Sequence, residues 1–146
     1  MGALTKKIFF KAPLPKIWEI LSDVTRTPEW VDGVQESEKT GEILEGKGLK
    51  WRERCLLERQ NIEMEHEFTE WAPMKKVQIQ TVLPMGGWMK RDLSFQEASQ
   101  GTEILIHVEW DLGIAGMLVG EKKAQEIMER SLDATFENWK EKAEAF

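Results

Sequence analysis

Apolar and polar residues alternate along residues 4–11 and over most of residues 34–110, whereas apolar positions recur every three or four residues from residue 121 onward. A period of two turns one face of a strand toward a core, and a period near 3.6 does the same for one stripe of a helix. The pattern therefore predicts strands lying between two helical regions, which is typical of an α+β domain.

The N-terminal region is predicted to hold one strand and two short helices. Residues 4–11 (LTKKIFFK) form a strand that ends before Pro13, because proline fixes its own backbone and biases the preceding residue away from helix. Residues 14–23 carry apolar side chains at helical spacing and predict a short helix. A second short helix is expected to start from an N-cap at Thr27, with Pro28 in its first position.

Six further strand segments are predicted after Gly33, beginning with residues 34–42. Turn signals separate them at spacings of about 10 to 14 residues, which favours an antiparallel meander. The turns are expected near Glu45–Gly48, Arg59–Asn61, Ala72-Pro73, Pro84–Gly87 and Ser99–Gly101. With the first strand, these segments predict a seven-stranded antiparallel sheet.

One long helix is predicted from Glu121 to Phe146. It has one apolar stripe and an opposite face that is charged. The stripe consists of Ala124, Ile127, Met128, Ser131, Leu132, Thr135, Phe136, Trp139 and Ala143. Such a helix needs an apolar surface to cover, and the meander supplies one.

Opposite charges predict how residues 49–57 align with residues 62–70. A four-residue connection at 58–61 sets two arginines opposite two glutamates, and a slip of one residue would lose both pairs. The pairs that follow are Leu57–Ile62, Cys55–Met64, Arg54–Glu65, Glu53–His66, Arg52–Glu67 and Trp51–Phe68.

A three-residue turn at residues 85–87 aligns the next two strands in the same way. The predicted pairs are Leu83–Met89, Thr81–Arg91, Ile79–Leu93 and Val77–Phe95. One sheet face is then polar and exposed to water, and the inner face lies under the long helix. The apolar inner face consists of Trp51, Met64, Phe68, Val77, Ile79, Leu93, Ile104, Ile106, Val108 and Trp110. It is either the wall of a ligand cavity or an ordinary filled core, because periodicity does not detect a void.

Composition narrows the classes of function. The chain has 146 residues, 41% hydrophobic and 32% charged, which suits one globular domain over residues 1–146. No apolar run approaches the roughly 18 residues of a membrane helix, and no signal-peptide stretch is present, so we expect a cytoplasmic monomer or homodimer without membrane insertion. A net charge of −6 disfavours nucleic acid. One Cys and two His argue against zinc sites, and neither a metal nor a cofactor is expected.

Three ionisable side chains fall on the otherwise apolar inner face: Glu53, His66 and Arg91. A buried carboxylate beside an imidazole can hold a proton, so Glu53 and His66 are candidate catalytic residues as well as candidate ligand anchors. The alternatives are a satisfied buried ion pair, or a pair at the sheet margin in water. Arg91 could clamp a ligand carboxylate, reach Glu53, or extend to the rim of the sheet.

The apolar, glycine-rich segment 113–120 (GIAGMLVG) lacks the Lys-Ser/Thr of a phosphate loop. It could be a hinged lid over the mouth of a cavity, a surface for a membrane or a partner, or a packed turn. Trp30 and Val31 would form the opposite lip, although Trp30 also suits the core. Cys55 is expected to be a small buried residue, and His107 to lie on the solvent face.

The order of elements and several segments resemble a known superfamily. The segments are KAPLPKIWEILSDVTRTPEWVDGV at 11–34, EFTEWAP at 67–73, GTEILIHVEW at 101–110 and the final helix. Over essentially the whole chain they resemble the SRPBCC superfamily, also called START-like, and its polyketide cyclase/dehydrase and lipid-transport branch. The resemblance implies a helix-grip fold, in which a curved sheet wraps the long C-terminal helix and leaves a cavity for an apolar ligand. It implies a fold and a cavity rather than a chemistry.

The first hypothesis is a binding or transport protein for a lipid, polyketide, quinone or aromatic metabolite. An enzyme of the polyketide cyclase/dehydrase type using the same cavity is the second hypothesis, and a protein-interaction module is the third. The expected ligand-binding residues are Trp30, Trp51, Glu53, Met64, His66, Phe68, Ile79, Thr81, Arg91, Leu93, Ile106, Val108, Trp110, Met117, Leu118, Met128 and Leu132.

Overall fold

The computed structural model describes residues 1–145 of the chain. Its elements, in chain order, are β1 (Gly2–Phe10), α1 (Leu14–Ser22), a 3-10 turn (Val24–Arg26), α2 (Thr27–Trp30), β2 (Val34–Thr40), β3 (Lys50–Leu57), β4 (Gln60–Ala72), β5 (Lys76–Val82), a 3-10 turn (Pro84–Gly86), β6 (Trp88–Ala98), β7 (Gly101–Asp111), α3 (Ile114–Val119) and α4 (Glu121–Glu144). The predicted order of elements is confirmed, and the glycine-rich segment adds the short helix α3. The predicted end of the last helix, at Phe146, lies outside the described residues.

All seven strands form one antiparallel sheet in the order β1-β7-β6-β5-β4-β3-β2. α4 lies on the inner face and runs alongside β1, where Lys6 Nζ is 3.7 Å from Glu129 and also contacts Asp133. Gln125 donates to the carbonyl of Ala3 at 3.3 Å. The chain thus has the helix-grip fold, with one sheet face under the long helix. Among residues 1–145, no helix is both long and apolar enough to cross a bilayer.

Side chains along the strands alternate between the two faces as predicted. In β3, Trp51, Glu53 and Cys55 are buried, whereas the arginines between them are exposed. The inner-face residues that are buried are Trp51, Phe68, Val77, Ile79, Leu93, Ile104, Ile106, Val108 and Trp110. Burial of this face against α4 supplies the main hydrophobic stabilisation of the fold.

The predicted alignment of β3 with β4 is wrong by two residues. The pairs in the structure are Lys50–Glu67, Trp51–His66, Arg52–Glu65, Glu53–Met64, Arg54–Glu63 and Cys55–Ile62. The cause is the turn, because Glu58 and Arg59 alone connect the strands, with φ of 47° and 69°. Two-residue turns with positive φ normally carry Asn or Gly, so the sequence predicts a longer connection. A shift of two residues leaves every side chain on its predicted face.

The two β3 arginines still lie opposite glutamates of β4, Arg52 opposite Glu65 and Arg54 opposite Glu63, but their ion pairs are with β2. Arg54 lies 3.0 Å from Glu36, and Arg52 contacts Glu38, so both ion pairs join β3 to β2 rather than to β4. Both pairs are exposed and contribute little to stability.

The predicted alignment of β5 with β6 is also wrong by two residues. The pairs include Val77–Leu93, Ile79–Arg91 and Thr81–Met89. Residues 83–87 form a loop in which the N–H of Leu83 donates to the carbonyl of Gly87 at 3.0 Å. This loop is longer than the predicted three-residue turn. Arg91 therefore lies opposite Ile79 rather than Thr81, but it stays on the inner face.

Thr27 is not the N-cap of α2. The chain enters α2 directly from the 3-10 turn, so Thr27 already has helical dihedral angles and no side-chain cap is present. Asp23 caps the preceding turn instead, because its carboxylate accepts the Thr25 N–H at 3.1 Å. The two predicted helical segments are therefore joined by one short turn of 3-10 helix.

Candidate functional site

Four neighbouring strands place polar side chains together on the apolar inner face. Glu53 on β3, His66 on β4 and Thr81 on β5 are buried, and Arg91 on β6 is half-buried. We call these four residues the polar cluster. The shared face was predicted, although the pairing that brought Glu53 opposite His66 was not correct. Contact between them is diagonal across the strand pair, which remains within reach of long side chains.

Both nitrogens of the His66 ring have protein partners within the polar cluster. Nε2 lies 2.8 Å from Glu53 Oε1, and Nδ1 lies 2.7 Å from Thr81 Oγ1. The other carboxylate oxygen of Glu53 accepts the indole N–H of Trp51 at 3.0 Å. The Trp51 ring also stacks on the imidazole, with centroids 5.1 Å apart. These contacts fix the position and the orientation of the ring.

The same contacts determine the ionisation states of Glu53 and His66. Burial alone would raise the pKa of Glu53, but the hydrogen bond from His66 and the positive charge of Arg91 outweigh it and hold the pKa below its usual range. Burial lowers the pKa of His66, and the hydrogen bond to Glu53 opposes this only in part. At neutral pH, His66 is therefore a neutral ring that donates from Nε2 to an ionised Glu53. Its Nδ1 is left as an acceptor.

Arg91 is the member of the polar cluster with unused hydrogen-bonding capacity. Its Nη2 lies 3.2 Å from His66 Nδ1 and 3.4 Å from Thr81 Oγ1. Its Nε is buried and has no hydrogen-bond partner within the described part of the chain. Since a guanidinium presents five N–H donors, most of its donors remain available to another molecule. A buried donor without a partner is costly, and this position is a natural place for a ligand oxygen.

Aromatic rings fill one end of the space between the sheet and α4. Trp139 is 1% exposed, and its ring centroid lies 5.2 Å from that of Phe10, 4.7 Å from Trp30 and 5.8 Å from Phe136. We call Phe10, Trp30, Phe136 and Trp139 the packed end. Of the two positions predicted for Trp30, the core and the lip of a cavity, the structure shows the core.

The other end is less completely covered. Leu4 at the start of β1, Met89 in β6 and Leu112 after β7 are only partly buried, as are Met128 and Leu132 in the first half of α4. We call these five residues the open end. Met89 pairs with Thr81, and Thr81 pairs with His66, so the polar cluster adjoins the open end.

The remaining predicted ligand residues divide into three groups. Trp51, Phe68, Ile79, Leu93, Ile106, Val108 and Trp110 form the buried wall of the sheet, whereas Met64 is half-buried near the β3–β4 turn. Met117 and Leu118 lie on α3 and are 85% and 78% exposed, so this segment is not a packed turn. Its roles as a lid or as a docking surface remain predictions.

Two further side chains lie where they were expected. Cys55 is buried, and burial raises the pKa of its thiol to about 11, which keeps it protonated and unreactive at neutral pH. His107 lies on the outer face, where its Nδ1 is 2.7 Å from Thr5 Oγ1.

Sequence patterns did not reveal a cleft of about 570 Å³ that crosses the outer face of the sheet. Outward-facing side chains of both charges line it, together with the exposed Val82 and the partly exposed Trp88. The inner-face residues His66, Thr81 and Met89 also belong to its lining. The signal was available, because Val82 and Trp88 are apolar residues at outer-face positions, opposite each other in β5 and β6. Lysines and glutamates occupy other positions on this face, so the two apolar residues did not stand out in the sequence pattern.

Comparison with known proteins identifies the family. Residues 1–144 match the model of the family described as polyketide cyclase/dehydrase and lipid transport. The chain belongs to this family. No curated protein matches the sequence.

Solved structures share the fold at low sequence identity. An aromatase/cyclase (Zhui) from Streptomyces sp. R1128 superposes with a TM-score of 0.81 at 15% identity, over 98% of this chain and 93% of that one. A START superfamily protein from Mycobacterium smegmatis gives 0.78 at 14% identity, over 97% of each chain. A conserved protein from Geobacillus kaustophilus gives 0.85 at 12% identity, over 97% of this chain and 95% of that one. These likenesses show the START-like fold, which is a hydrophobic ligand-binding fold in this family, and no specific ligand.

Proposed function

We propose that this protein binds and carries one small amphipathic molecule, held between the sheet and the first half of α4. The observation that supports this most strongly is the polar cluster, a set of satisfied and unsatisfied hydrogen-bonding groups on an otherwise apolar face. A few convergent polar groups within apolar walls are the usual make-up of a small-molecule site. The apolar part of the ligand would contact the open end, and its polar part would meet Arg91.

The packing of the two ends supports this location. Aromatic rings fill the packed end, whereas the open end contributes two methionines and three leucines that are partly buried. Other apolar side chains that are partly buried against the core are Ile8, Trp18, Val31 and Trp71. Methionine side chains are flexible and adapt to ligands of irregular shape. Burying about 300 Å² of apolar ligand surface there would contribute about 7 kcal/mol before the costs of association.

The geometry favours binding over acid–base catalysis. A general base must take its proton from the substrate, but the Nδ1 lone pair of His66 is directed at Thr81 and Arg91, and its Nε2–H donates to Glu53. Glu53 is likewise occupied by His66 and Trp51. The pair therefore serves to hold Arg91 and its surroundings in place.

A substitution that fills the open end tests the proposal. Leu132→Trp adds a ring where Leu132 is half-buried, and the control Leu105→Trp makes the same change on the outer face, where Leu105 is 42% exposed. We expect Leu132→Trp to weaken binding of decanoate and 1-decanol at least about tenfold in a fluorescence titration, since the ring would occupy the ligand's place. Unchanged binding in Leu132→Trp, or an equal loss in Leu105→Trp, would contradict the proposed location. Native mass spectrometry of the gently purified protein should also show one bound small molecule, which organic extraction removes.

A further inference from the structure

Arg91 and His66 together indicate the chemistry of the ligand's polar end. We propose that this end is a single carboxylate held by the free N–H groups of Arg91, and that its binding takes up one proton from water at His66 Nδ1. The inference rests on the proposed function, because it assumes that a ligand occupies the open end beside the polar cluster.

The donors of Arg91 suit a carboxylate. Its buried Nε has no partner, and Nη2 uses only part of its donor capacity on His66 and Thr81. Nε–H and an Nη N–H form one edge of the planar guanidinium fork, which matches the two oxygens of a carboxylate. An alcohol or a ketone has a single acceptor oxygen and would leave one of these donors unpaired.

A ligand carboxylate at this position would give the polar cluster a net negative charge. In the free protein the ionised Glu53 balances Arg91, and His66 is neutral, so the polar cluster carries no net charge. A ligand carboxylate would add a negative charge beside Glu53 in a place largely shielded from water. Two carboxylates in one such site strongly favour the binding of a proton.

His66 is the group placed to take that proton. Its Nε2–H already donates to Glu53, whereas Nδ1 carries a lone pair directed at Thr81 and Arg91. When a proton binds to Nδ1, the Thr81 hydroxyl changes from donor to acceptor, which a hydroxyl does by rotating its hydrogen. Arg91 Nη2 then loses its acceptor on His66 and faces a second positive charge, which the ligand carboxylate offsets by binding to Arg91.

The other groups around His66 are less well placed to take the proton. β3 contributes Glu53, whose pKa His66 and Arg91 lower to about 2 in the ligand-free protein, and Cys55, whose thiol is already protonated at neutral pH. β5 contributes Thr81, which does not titrate, and β6 contributes Arg91, which is already charged. The side chains of α4 that pack against the core in its first half, Met128 and Leu132, carry no charge.

The ligand preference is tested by comparing acids with matched alcohols. Binding of decanoate and 1-decanol, and of 2-naphthoate and 2-naphthalenemethanol, is measured by calorimetry on the whole protein. We expect each acid to bind at least about tenfold more tightly than its alcohol, and Arg91→Gln to remove this preference by weakening acid binding much more than alcohol binding. The control Arg54→Gln, on the outer face, keeps the preference. Equal affinities for acid and alcohol would contradict the proposal that the polar end of the ligand is a carboxylate, but they would not contradict the proposed function. If none of the four compounds bound, the proposed function itself would fail.

Proton uptake is tested in the same calorimeter. Titrating decanoate in buffers of different ionisation enthalpy near pH 7 should show an uptake close to one proton, and the association constant should fall by up to tenfold per pH unit as pH rises. His66→Gln keeps a donor and an acceptor but cannot titrate in this range, so uptake should disappear while binding remains measurable. The control His107→Gln changes the only other histidine and should keep the uptake. Zero uptake by the parent protein, or uptake that persists in His66→Gln, would overturn the role of His66.

Discussion

The same sheet and the same helix build the packed end and the open end of the interior, yet the two ends differ in how completely their side chains are buried. Around Trp139, aromatic rings interlock and leave almost no exposed surface. Around Met128 and Leu132, the helix covers the sheet only partly, and the polar cluster lies beside this region. The comparison indicates that the packed end is buried and stabilises the fold, whereas the open end is less completely buried and adjoins the polar cluster.

The largest expected difference is in the free energy of unfolding. Trp139→Ala should lower it by about 3 to 5 kcal/mol, because it removes a fully buried ring and leaves a cavity. Met128→Ala should cost about 1 kcal/mol or less, because its side chain already contacts water in part. Urea denaturation of both variants measures the difference. Equal losses would show that the two ends are equally well packed.

The polar cluster should contribute stability that acid removes. Glu53→Gln leaves Arg91 without its counter-charge in a buried setting, which should lower the free energy of unfolding by about 3 kcal/mol at pH 7. The pKa of Glu53 is lowered from 4.5 to about 2, so its contribution is fully present above about pH 4.5 and is lost as pH falls toward 2.

A difference curve between the parent protein and Glu53→Gln isolates this contribution from that of other carboxylates. The gap between the two should be widest near neutral pH, begin to narrow below about pH 4.5 and close toward pH 2. Glu63→Gln, on the exposed outer face of the neighbouring strand, provides the control and should change little. A gap that persisted at pH 2 would contradict an ionised Glu53 paired within the cluster.

The smallest effect is expected at the β3–β4 turn. Arg59 has a φ of 69°, which glycine adopts without strain, so Arg59→Gly should raise the free energy of unfolding by about 0.5 to 1 kcal/mol. Arg59→Ala keeps the strained conformation and should not stabilise. Neither change should alter ligand affinity, since Arg59 is exposed. A destabilising Arg59→Gly would argue against the two-residue turn and thus against the register that joins Glu53 to His66.

The faces of the strands could be predicted from the sequence, and the contacts between strands could not. Alternation placed Glu53, His66 and Arg91 on the inner face, and the structure agrees. The register of each strand pair depends on its turn. Glu58 and Arg59 adopt positive φ although neither is Asn or Gly, so the sequence did not indicate a two-residue turn. Both register errors were shifts of two residues, and an even shift leaves every side chain on its predicted face.

The details that give the polar cluster its chemistry lie beyond a one-dimensional pattern. The hydrogen bond from Trp51 to Glu53 is an exception, because the two residues are two positions apart on one face of β3 and their proximity follows from spacing. That Nε of Arg91 lacks a partner depends on the positions of all its neighbours at once. The contrast between the packed and open ends likewise depends on which side chains of the sheet α4 covers, which no periodicity encodes.

The most direct test of the account is to map a bound ligand on methyl resonances. With decanoate added to protein labelled at Met, Ile, Leu and Val methyl groups, we predict large shifts for Met89 and Met128 and none for Ile104, which lies toward the packed end of the sheet. Val82, in the outer cleft, should also stay unchanged. Shifts at Val82 and Met89 with none at Met128, or strong shifts at Ile104 with none at Met128, would contradict a site between the sheet and the first half of α4.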